Sequence, residues 1–245
     1  QRSRRTFTFG LGALGLSACT TGTGVLGPRA GSSSSAGSSG SGSLPAELRP
    51  VPNAAYDAWV ASFRGRAAAQ GISQSTLNAG FRGAGYLPGV VKRDRNQTEF
   101  TRTLEDYLAI AASDERIAKG RAAFARHRST LNAVEAKYGV AASIVTAVWG
   151  LESFYGERRG NVPVISATST LAFDGRRGAF FEKQLLAALK ILQNGDTTAA
   201  QLTGSWAGAM GHTQFIPTSY EAFAVDFTGA GRRDIWSNAP ADSLA

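Results

Sequence analysis

The chain has 245 residues, of which 43% are hydrophobic and 18% charged, and its formal net charge is +8 at neutral pH. This composition is typical of one large globular domain or two modest ones, and it excludes a disordered chain or a fibre. A single cysteine and two histidines exclude an intrachain disulfide framework and a zinc site built on several cysteines. The basic excess alone leaves nucleic acid, an anionic membrane and an acidic polymer open as partners.

Residues 1–18 have the layout of a secretory signal peptide. Three arginines, Arg2, Arg4 and Arg5, precede an apolar run that is broken by glycines and is too short to span a bilayer. The residues around Arg4 and Arg5 also resemble a twin-arginine export signal. Removing this segment removes three positive charges and no negative one, which lowers the net charge from +8 to +5. Because the protein is then expected outside the cytoplasm, we expect no nucleic acid as a partner.

The only cysteine, Cys19, closes the sequence Leu-Ser-Ala-Cys at the end of this apolar run. The sequence resembles a bacterial lipobox, in which the cysteine is lipidated after cleavage of the signal peptide. A buried free thiol is the alternative, but the position of Cys19 favours lipidation. Thr20 follows, where an acidic residue would favour the inner membrane, so we expect a periplasmic protein with a lipid anchor in the outer membrane. Residues 19–43 form a tether whose Gly/Ser tract, 31–43, spans about 20 Å.

From residue 44 onward, apolar residues recur mostly with the period of an α-helix. Tyr56, Trp59, Val60 and Phe63 lie on one helical face, and Gly71 marks the end of that helix. A seven-residue repeat predicts a long helical segment over 114–138, closed by Gly139; its members are Ile117, Phe124, Leu131 and Tyr138.

Two further helices are predicted, over 141–155 and 180–193. The second carries leucines at core spacing and ends at Asn194-Gly195. No sustained two-residue alternation indicates a large sheet. The predicted fold class is therefore mainly α (α+β), with a minor hairpin.

The helix predicted over 141–155 contains one acidic residue, Glu152. At about 100° per residue, Val145, Val148, Trp149 and Tyr155 project within roughly 60° of it, so the carboxylate lies on the apolar face. Desolvation there raises the pKa of a carboxyl group. Either an arginine, a backbone donor or water compensates the charge, or Glu152 is a general acid that works near neutral pH. The aromatic residues beside it offer flat surfaces for sugar rings and favour the second interpretation.

A second unusual segment, 205–220, reads SWAGAMGHTQFIPTSY. Gly208 and Gly211 permit tight backbone geometry, and Ser205, Gln214 and Tyr220 supply hydrogen-bonding groups. Together with the sequence ESFYG at 152–156, this segment resembles the B-type lytic murein transglycosylases, glycoside hydrolase family 103. The likeness covers roughly residues 50–245. It includes 95–108, where Thr98 replaces the usual proline of the family, as well as VISATSTLAFDGRRGAFF and AVDFTGAGRRDIW.

The resemblance implies a lysozyme-like transglycosylase fold and cleavage of the MurNAc-β-1,4-GlcNAc bond of peptidoglycan with formation of 1,6-anhydro-MurNAc ends. It implies that Glu152 is the only catalytic carboxylate and acts first as acid and then as base, without a cofactor. Ser205 and Gln214 match positions that line the substrate cleft. Met210, Tyr220 and Tyr155 are further expected substrate-binding residues, the first two mainly by supporting the loop.

The resemblance also bears on the extent of the domain and on its binding partners. Residues 44–245 are the expected catalytic domain, with a C-terminal part missing, because the family continues into a helix that completes the cleft. We expect a monomer whose partners are peptidoglycan glycan strands and, through the lipid anchor, a membrane.

Three features have plainer interpretations. In several relatives the stretch matching 226–237 is a calcium-binding loop, but here only Asp226 and Asp234 remain as acids, so we predict a turn without metal. His212 is predicted to be a solvent-facing loop residue. The arginine pairs at 158–159, 176–177 and 232–233 are predicted to be solvated, and some of them to attract the carboxylates of murein.

Two other functions stay open at this stage. A muramidase that uses water would need a second carboxylate, such as Asp174 or Glu157, across the cleft. A glycan-binding envelope lipoprotein without activity would use the same cleft only to hold strands.

Overall fold

The structure is a computed structural model that describes residues 44–96 and 103–245. The predicted signal peptide 1–18, Cys19, the tether 19–43 and Thr98 lie outside the described residues. From Leu44 to Ala245 the chain forms one compact unit. None of the helices in the described ranges has both the length and the apolar character that crossing a membrane requires.

Helices account for most of the described residues, which confirms the mainly α prediction. A short 3-10 helix, Ala46–Leu48, precedes the first α-helix. The α-helices are α1 (Ala54–Ala69), α2 (Gln74–Phe81), α3 (Pro88–Arg95), α4 (Leu104–Ala111), α5 (Asp114–Arg126), α6 (Arg128–Tyr138), α7 (Ala142–Ser153), α8 (Val164–Asp174), α9 (Gly178–Gln193), α10 (Pro217–Phe223) and α11 (Ala241–Leu244).

Two very short strands, β1 (Val162–Pro163) and β2 (Thr203–Gly204), pair antiparallel, with Val162 opposite Gly204. The sequence predicts a minor hairpin, and this prediction is wrong, because α8 and α9 lie between the two strands in the chain. The pair joins the residues that follow α7 to the residues that precede the 205–220 segment, and it therefore fixes how the two unusual segments approach each other.

Helix α8 forms the centre of the core, and every residue from Val164 to Ala172 is buried. Its hydroxyl groups are satisfied inside the protein. Thr168 Oγ1 donates to the Val164 carbonyl at 2.7 Å, and Ser169 Oγ lies 2.7 Å from the hydroxyl of Tyr56 on α1. Because polar atoms of this kind are costly to bury without partners, these bonds allow a helix to be buried on all sides.

Helices α1 and α9 follow the predicted periodicity. In α1, Tyr56 and Phe63 are buried, and the helix ends before Gly71, whose φ of 88° suits a residue without a side chain. In α9, Leu185 and Leu189 are buried against the same core. This core also receives α2 and α10.

The predicted long helical segment over 114–138 is interrupted at His127 and forms α5 and α6. The seven-residue repeat does not mark one buried face. Leu131 is fully buried, whereas Ile117 and Tyr138 are 42% and 40% exposed. Helix α7 packs against both α5 and α6, and Leu131 and Trp149 belong to the same apolar cluster.

Candidate functional site

Glu152 lies in the last turn of α7, close to a tight contact between α7 and α5. The ring of Tyr155 fills the space between the two helices, and its hydroxyl donates to the Arg116 carbonyl at 2.9 Å. Gly150 makes this possible because a Cβ there would lie 2.5 Å from the Tyr155 hydroxyl, and Gly120 on α5 is restricted in the same way. The helix end that carries Glu152 is thus held close to α5.

The turn after Glu152 has an unusual backbone. Phe154 and Tyr155 have φ values of 53° and 59°, and Gly156 continues with 86°. A non-glycine residue in this left-handed region costs roughly 1–2 kcal/mol. Ser153 compensates part of this cost, because its Oγ accepts a hydrogen bond from the Gly156 N–H at 2.9 Å and donates to the His212 carbonyl at 2.5 Å.

Positive charges surround the Phe154 ring on the outer side of this turn. Arg116, Lys119 and Arg158 lie 5.1, 4.5 and 4.4 Å from its centroid. Arg116 is buried and also donates to the Gly150 carbonyl at 2.5 Å. Cations near the C-terminal end of a helix are favourable because the helix dipole is negative there. These contacts stabilise the strained turn.

The carboxyl group of Glu152 is half-buried and stands apart from these charges. Within the described residues, no side chain or backbone N–H donates a hydrogen bond to it, and burial is the cause that raises its pKa, to about 7. The arrangement in which an arginine or a backbone donor compensates Glu152 is therefore not found. A carboxyl group in this state can give up a proton and take it back near neutral pH.

The 205–216 segment forms two small closed loops. Ser205 N–H donates to the Ala209 carbonyl at 2.7 Å, and the Ala209 N–H donates to Ser205 Oγ at 3.1 Å. Met210 and Phe215 exchange backbone hydrogen bonds at 2.8 and 2.9 Å. Gly204 has to be a glycine because a Cβ there would collide with the Ala209 carbonyl.

Gln214 is the third non-glycine residue with a positive φ in the described chain, at 52°. Its amide nitrogen donates to the Gly211 carbonyl at 2.9 Å and to the Arg159 carbonyl at 3.2 Å. The oxygen of the same amide accepts no hydrogen bond from any described residue. The three strained positions, Phe154, Tyr155 and Gln214, thus lie in the two segments that the sequence singled out, which is typical of a functional site.

Two other predicted site residues are buried beneath the loop. Met210 and Tyr220 are fully buried in the core cluster. The Tyr220 hydroxyl donates to the Arg233 carbonyl at 2.6 Å, and burial raises the pKa of this phenol. Ser205 and Gln214 are partly exposed.

His212 connects the two segments, and the prediction that it faces solvent is wrong. The residue is only 4% exposed. Its Nδ1 accepts a hydrogen bond from Trp149 Nε1 at 3.2 Å, and its Nε2 lies 2.9 Å from the Ser237 carbonyl. Because the Trp149 indole can only donate, Nδ1 must be the unprotonated nitrogen and Nε2 the donor. Burial lowers the pKa of this imidazole to about 4.

Four of the six arginines in the three pairs are exposed, as predicted, whereas Arg159 and Arg233 are partly buried. Arg159 donates to the carbonyls of Trp236 and Ser237 at 2.8 and 2.5 Å. Arg176 pairs with Asp94 at 2.5 Å and Arg233 with Asp196 at 2.6 Å. Arg176 ties the loop after α8 to α3, whereas Arg159 and Arg233 each tie two loops together, through contacts distant in sequence.

In the 226–237 loop, the carboxylates are occupied by backbone N–H groups. Asp226 accepts hydrogen bonds from Ala230 and Gly231 at 2.9 and 2.8 Å. Asp242, from α11, is buried and accepts from the backbone of Phe227, Thr228 and Asp234 at about the same distance, 2.9 to 3.1 Å. The described part of the chain contains no group of three or more acidic, histidine or cysteine residues that could hold a metal ion.

The two candidates for a second carboxylate are both engaged in ion pairs. Asp174 lies 2.6 Å from Arg95, and Glu157 lies 2.6 Å from Lys119. Either ion pair would have to break before its carboxylate could bind and activate a water molecule.

Comparisons with known proteins show which family this chain resembles. The family model described as "Transglycosylase SLT domain" matches residues 55–245. Membrane-bound lytic murein transglycosylase B of Escherichia coli (strain K12) is 34% identical over 120 residues, which are 49% of this chain and 33% of that protein.

Two solved structures from Pseudomonas aeruginosa share the fold. SltB3, in complex with NAG-anhNAM-pentapeptide, is 48% identical with a TM-score of 0.75, over 78% of this chain and 51% of that one. The soluble lytic transglycosylase SltB1 is 34% identical with a TM-score of 0.71, over 76% of this chain and 63% of that one. The chain thus spans about half the length of SltB3 and a third of the Escherichia coli protein. These matches confirm the lysozyme-like transglycosylase fold.

The match of one family model to 55–245 covers most of the chain and includes both unusual segments, ESFYG and SWAGAMG. The chain therefore belongs to the transglycosylase SLT domain family, and the resemblance to the B-type lytic murein transglycosylases is confirmed.

Proposed function

We propose that this protein is a lytic transglycosylase that cleaves the MurNAc-β-1,4-GlcNAc bond of peptidoglycan. The observation that carries the proposal is the half-buried carboxyl group of Glu152, to which no described residue donates a hydrogen bond and whose pKa burial raises to about 7. Its position directly before a strained turn that is hydrogen-bonded to the 205–216 segment through Ser153, together with the family membership, supports this activity.

In the proposed reaction, Glu152 acts twice. The protonated carboxyl group first donates its proton to the glycosidic oxygen, and the bond from that oxygen to C1 of MurNAc breaks. The resulting carboxylate then takes the proton of the C6 hydroxyl of MurNAc while the C6 oxygen forms a bond to C1. A 1,6-anhydro ring forms, Glu152 is protonated again, and no water is consumed. One carboxyl group is therefore sufficient, in contrast to the pair that most glycosidases use.

We assign supporting roles to the other site residues. The free amide oxygen of Gln214 is suited to accept a hydrogen bond from an N-acetyl group, and Ser205 lies on the same loop. Met210 and Tyr220 hold that loop from the core side. Because the Tyr155 hydroxyl is bonded to Arg116, Tyr155 could contact substrate only through its ring.

Glu152→Gln tests the catalytic assignment. The variant keeps the size of the side chain but cannot exchange a proton, so we expect release of anhydro-muropeptides from sacculi to fall by at least a factor of about 100. Tyr138→Phe, on the exposed end of α6, serves as the control and should retain activity. A wild-type protein that releases no product would favour the alternative of a glycan-binding lipoprotein. A variant as active as wild type would contradict the assignment of Glu152 as the catalytic residue.

Mass spectrometry of the products separates transglycosylation from hydrolysis. Anhydro products are lighter than hydrolysed ones by one water, about 18 Da, because water is excluded from the attacking position. The ion pairs of Asp174 and Glu157 oppose the muramidase alternative. Mainly hydrolysed products would contradict the proposed mechanism.

We further propose that residues 1–18 are an export signal, that Cys19 carries the lipid anchor, and that residues 44–245 form the catalytic domain, held at the outer membrane by the tether 19–43. A monomer in the periplasm with no metal or other cofactor completes this proposal. Incorporation of labelled fatty acid into the wild type but not into Cys19→Ala, with fractionation of the inner and outer membranes, tests the anchor and its location.

A further inference from the structure

His212 contacts two residues of α7 that are one helical turn apart, Trp149 and Ser153. Its ring accepts the hydrogen bond of Trp149, and its backbone carbonyl accepts that of Ser153. Trp149 precedes Glu152 by three residues, and Ser153 follows it directly. At about 100° per residue, these two side chains project roughly 60° and 100° from Glu152 on the same side of the helix.

We propose that His212 is a positioning residue that sets the placement of Glu152 relative to Ser205 and Gln214. This inference rests on the proposed function. Both bonds would break if α7 rotated about its axis or moved along it by an ångström or two. His212 lies within the 205–216 segment, so the same residue that holds α7 also belongs to the loop expected to bind the sugar.

The surroundings of the ring are built for an imidazole. Gly156 faces it, and a Cβ at that position would lie 2.5 Å from Nδ1. On the other side, Nε2 donates to the Ser237 carbonyl, and Arg159 bonds to the same carbonyl. The ring therefore links α7 both to the 205–216 segment and to the segment before α11.

The charged groups around the ring favour its neutral form. Arg159 from the loop after α7 and His127 from the junction of α5 and α6 oppose protonation, whereas Asp234 from the loop before α11 favours it, with burial opposing it most. A protonated ring would place an N–H against the Trp149 N–H. The bond to α7 thus depends on a neutral acceptor at Nδ1.

Variants at position 212 separate positioning from packing. His212→Leu fills the space but cannot accept the Trp149 bond, and we expect kcat on sacculi to fall at least about tenfold with KM within a factor of about two. His212→Gln retains an acceptor oxygen and a donor nitrogen on a side chain of similar length, so we expect it to keep at least about a third of the wild-type kcat.

Trp149→Phe tests the partner of this bond. It retains an aromatic ring but removes the N–H together with part of the volume of the buried indole, so we expect a loss of kcat at least as large as that of His212→Leu. The double variant should be no less active than Trp149→Phe alone, because both substitutions remove the same hydrogen bond. His127→Phe is the matched control. The His127 ring packs edge-on against the Trp149 ring, with 5.3 Å between the ring centroids, and its side chain forms no hydrogen bond to any described residue. Its replacement should therefore leave kcat unchanged.

A second measurement does not depend on activity. In wild type, the titration of the Glu152 carboxyl group, followed by ¹³C NMR, should have a midpoint near 7; His212→Leu should lower this midpoint and His212→Gln should not. If the wild type released no anhydro products, the proposed function would fail, but this titration would still decide the positioning role. Equal midpoints in all three proteins, or a His212→Gln variant as inactive as His212→Leu, would overturn the inference.

Discussion

At the scale of single residues, the chemistry of the site depends on how the protein treats two ionisable groups. Glu152 is half-buried without a compensating donor, and its pKa is raised to about 7. His212 is buried beside positive charge, and its pKa is lowered to about 4. Desolvation favours the neutral form of both groups. At neutral pH the site therefore contains a carboxyl group ready to donate a proton and an imidazole ready to accept a hydrogen bond.

The pKa of Glu152 predicts the alkaline limit of activity. The protonated carboxyl group starts the reaction, so kcat/KM should be constant below pH 6 and fall tenfold per pH unit well above 7. Initial rates on sacculi between pH 5.5 and 9, at constant ionic strength, test this. An alkaline midpoint near 4.5, the ordinary value for glutamate, would show that burial does not control this group.

The pKa of His212 predicts a loss of stability in acid. The folded protein holds this ring neutral down to about pH 4, whereas the unfolded chain protonates it at 6.5, so the unfolded state binds more protons between these values. The free energy of unfolding should fall by up to about 3 kcal/mol as pH falls from 6.5 to 4, at 1.36 kcal/mol per pKa unit. In His212→Gln this contribution should be absent when urea unfolding is compared at both pH values. The same pH dependence in both proteins would refute the assignment.

The two residues also differ in how far the sequence could predict them. Glu152 stands out because its neighbours in the same helix are apolar, and helical periodicity is a local property. The burial of His212 depends on Gly156, Trp149 and Ser237, which are 25 to 63 residues away. Small residues around 212 were the only signal in the sequence, and they are equally typical of an exposed loop.

At the scale of elements, α7 owes its position to glycines as well as to its buried apolar residues. Ile144, Val148 and Leu151 on this helix are exposed, whereas Gly150 and Gly120 allow the Tyr155 ring to lie between α7 and α5. Periodicity predicts that α7 is a helix, but it does not show which face is buried. The same limitation explains why the repeat over 114–138 predicted one segment where His127 separates α5 from α6.

Gly150→Ala should disturb this contact. A Cβ would lie 2.5 Å from the Tyr155 hydroxyl, so the ring and the end of α7 must shift. We expect a loss of about 1–3 kcal/mol in the free energy of unfolding and a decrease in kcat, because Glu152 moves with the helix end. Urea unfolding and rates on sacculi measure both effects.

Gly65→Ala is the matched control for Gly150→Ala. It lies inside α1 with no atom within 4 Å of the new Cβ, and it should stabilise the protein by about 0.5–1 kcal/mol because alanine favours the helix more than glycine does. A Gly150→Ala variant as stable and active as Gly65→Ala would mean that the contact between α5 and α7 is not tightly packed.

At the scale of the whole molecule, the fold class and the family could be predicted from composition, helical periodicity and two short motifs. The connection between the motifs could not, because it consists of side chains that reach across the fold. Arg159 illustrates this point. The sequence predicts a solvated surface charge at this position, yet Arg159 holds the residues before α11 against the loop after α7. Net charge alone therefore overstates how many positive groups face a polymeric substrate.

The charge that remains available predicts a moderate dependence of activity on salt. Within the three arginine pairs, Arg158 and Arg177 are exposed, form no ion pair with a described residue and lie over aromatic rings, 4.4 and 4.5 Å from the ring centroids. They can attract the carboxylates of murein over distances that shrink from about 30 Å at 0.01 M salt to about 8 Å at 0.15 M. We expect kcat/KM on sacculi to fall several-fold over this range, and less steeply in Arg158→Gln with Arg177→Gln. Arg93→Gln with Arg66→Gln, which removes two arginines already paired with Glu47 and Glu182, is the control with the same change in net charge. If both double variants flatten the salt dependence equally, net charge rather than these two arginines attracts the substrate.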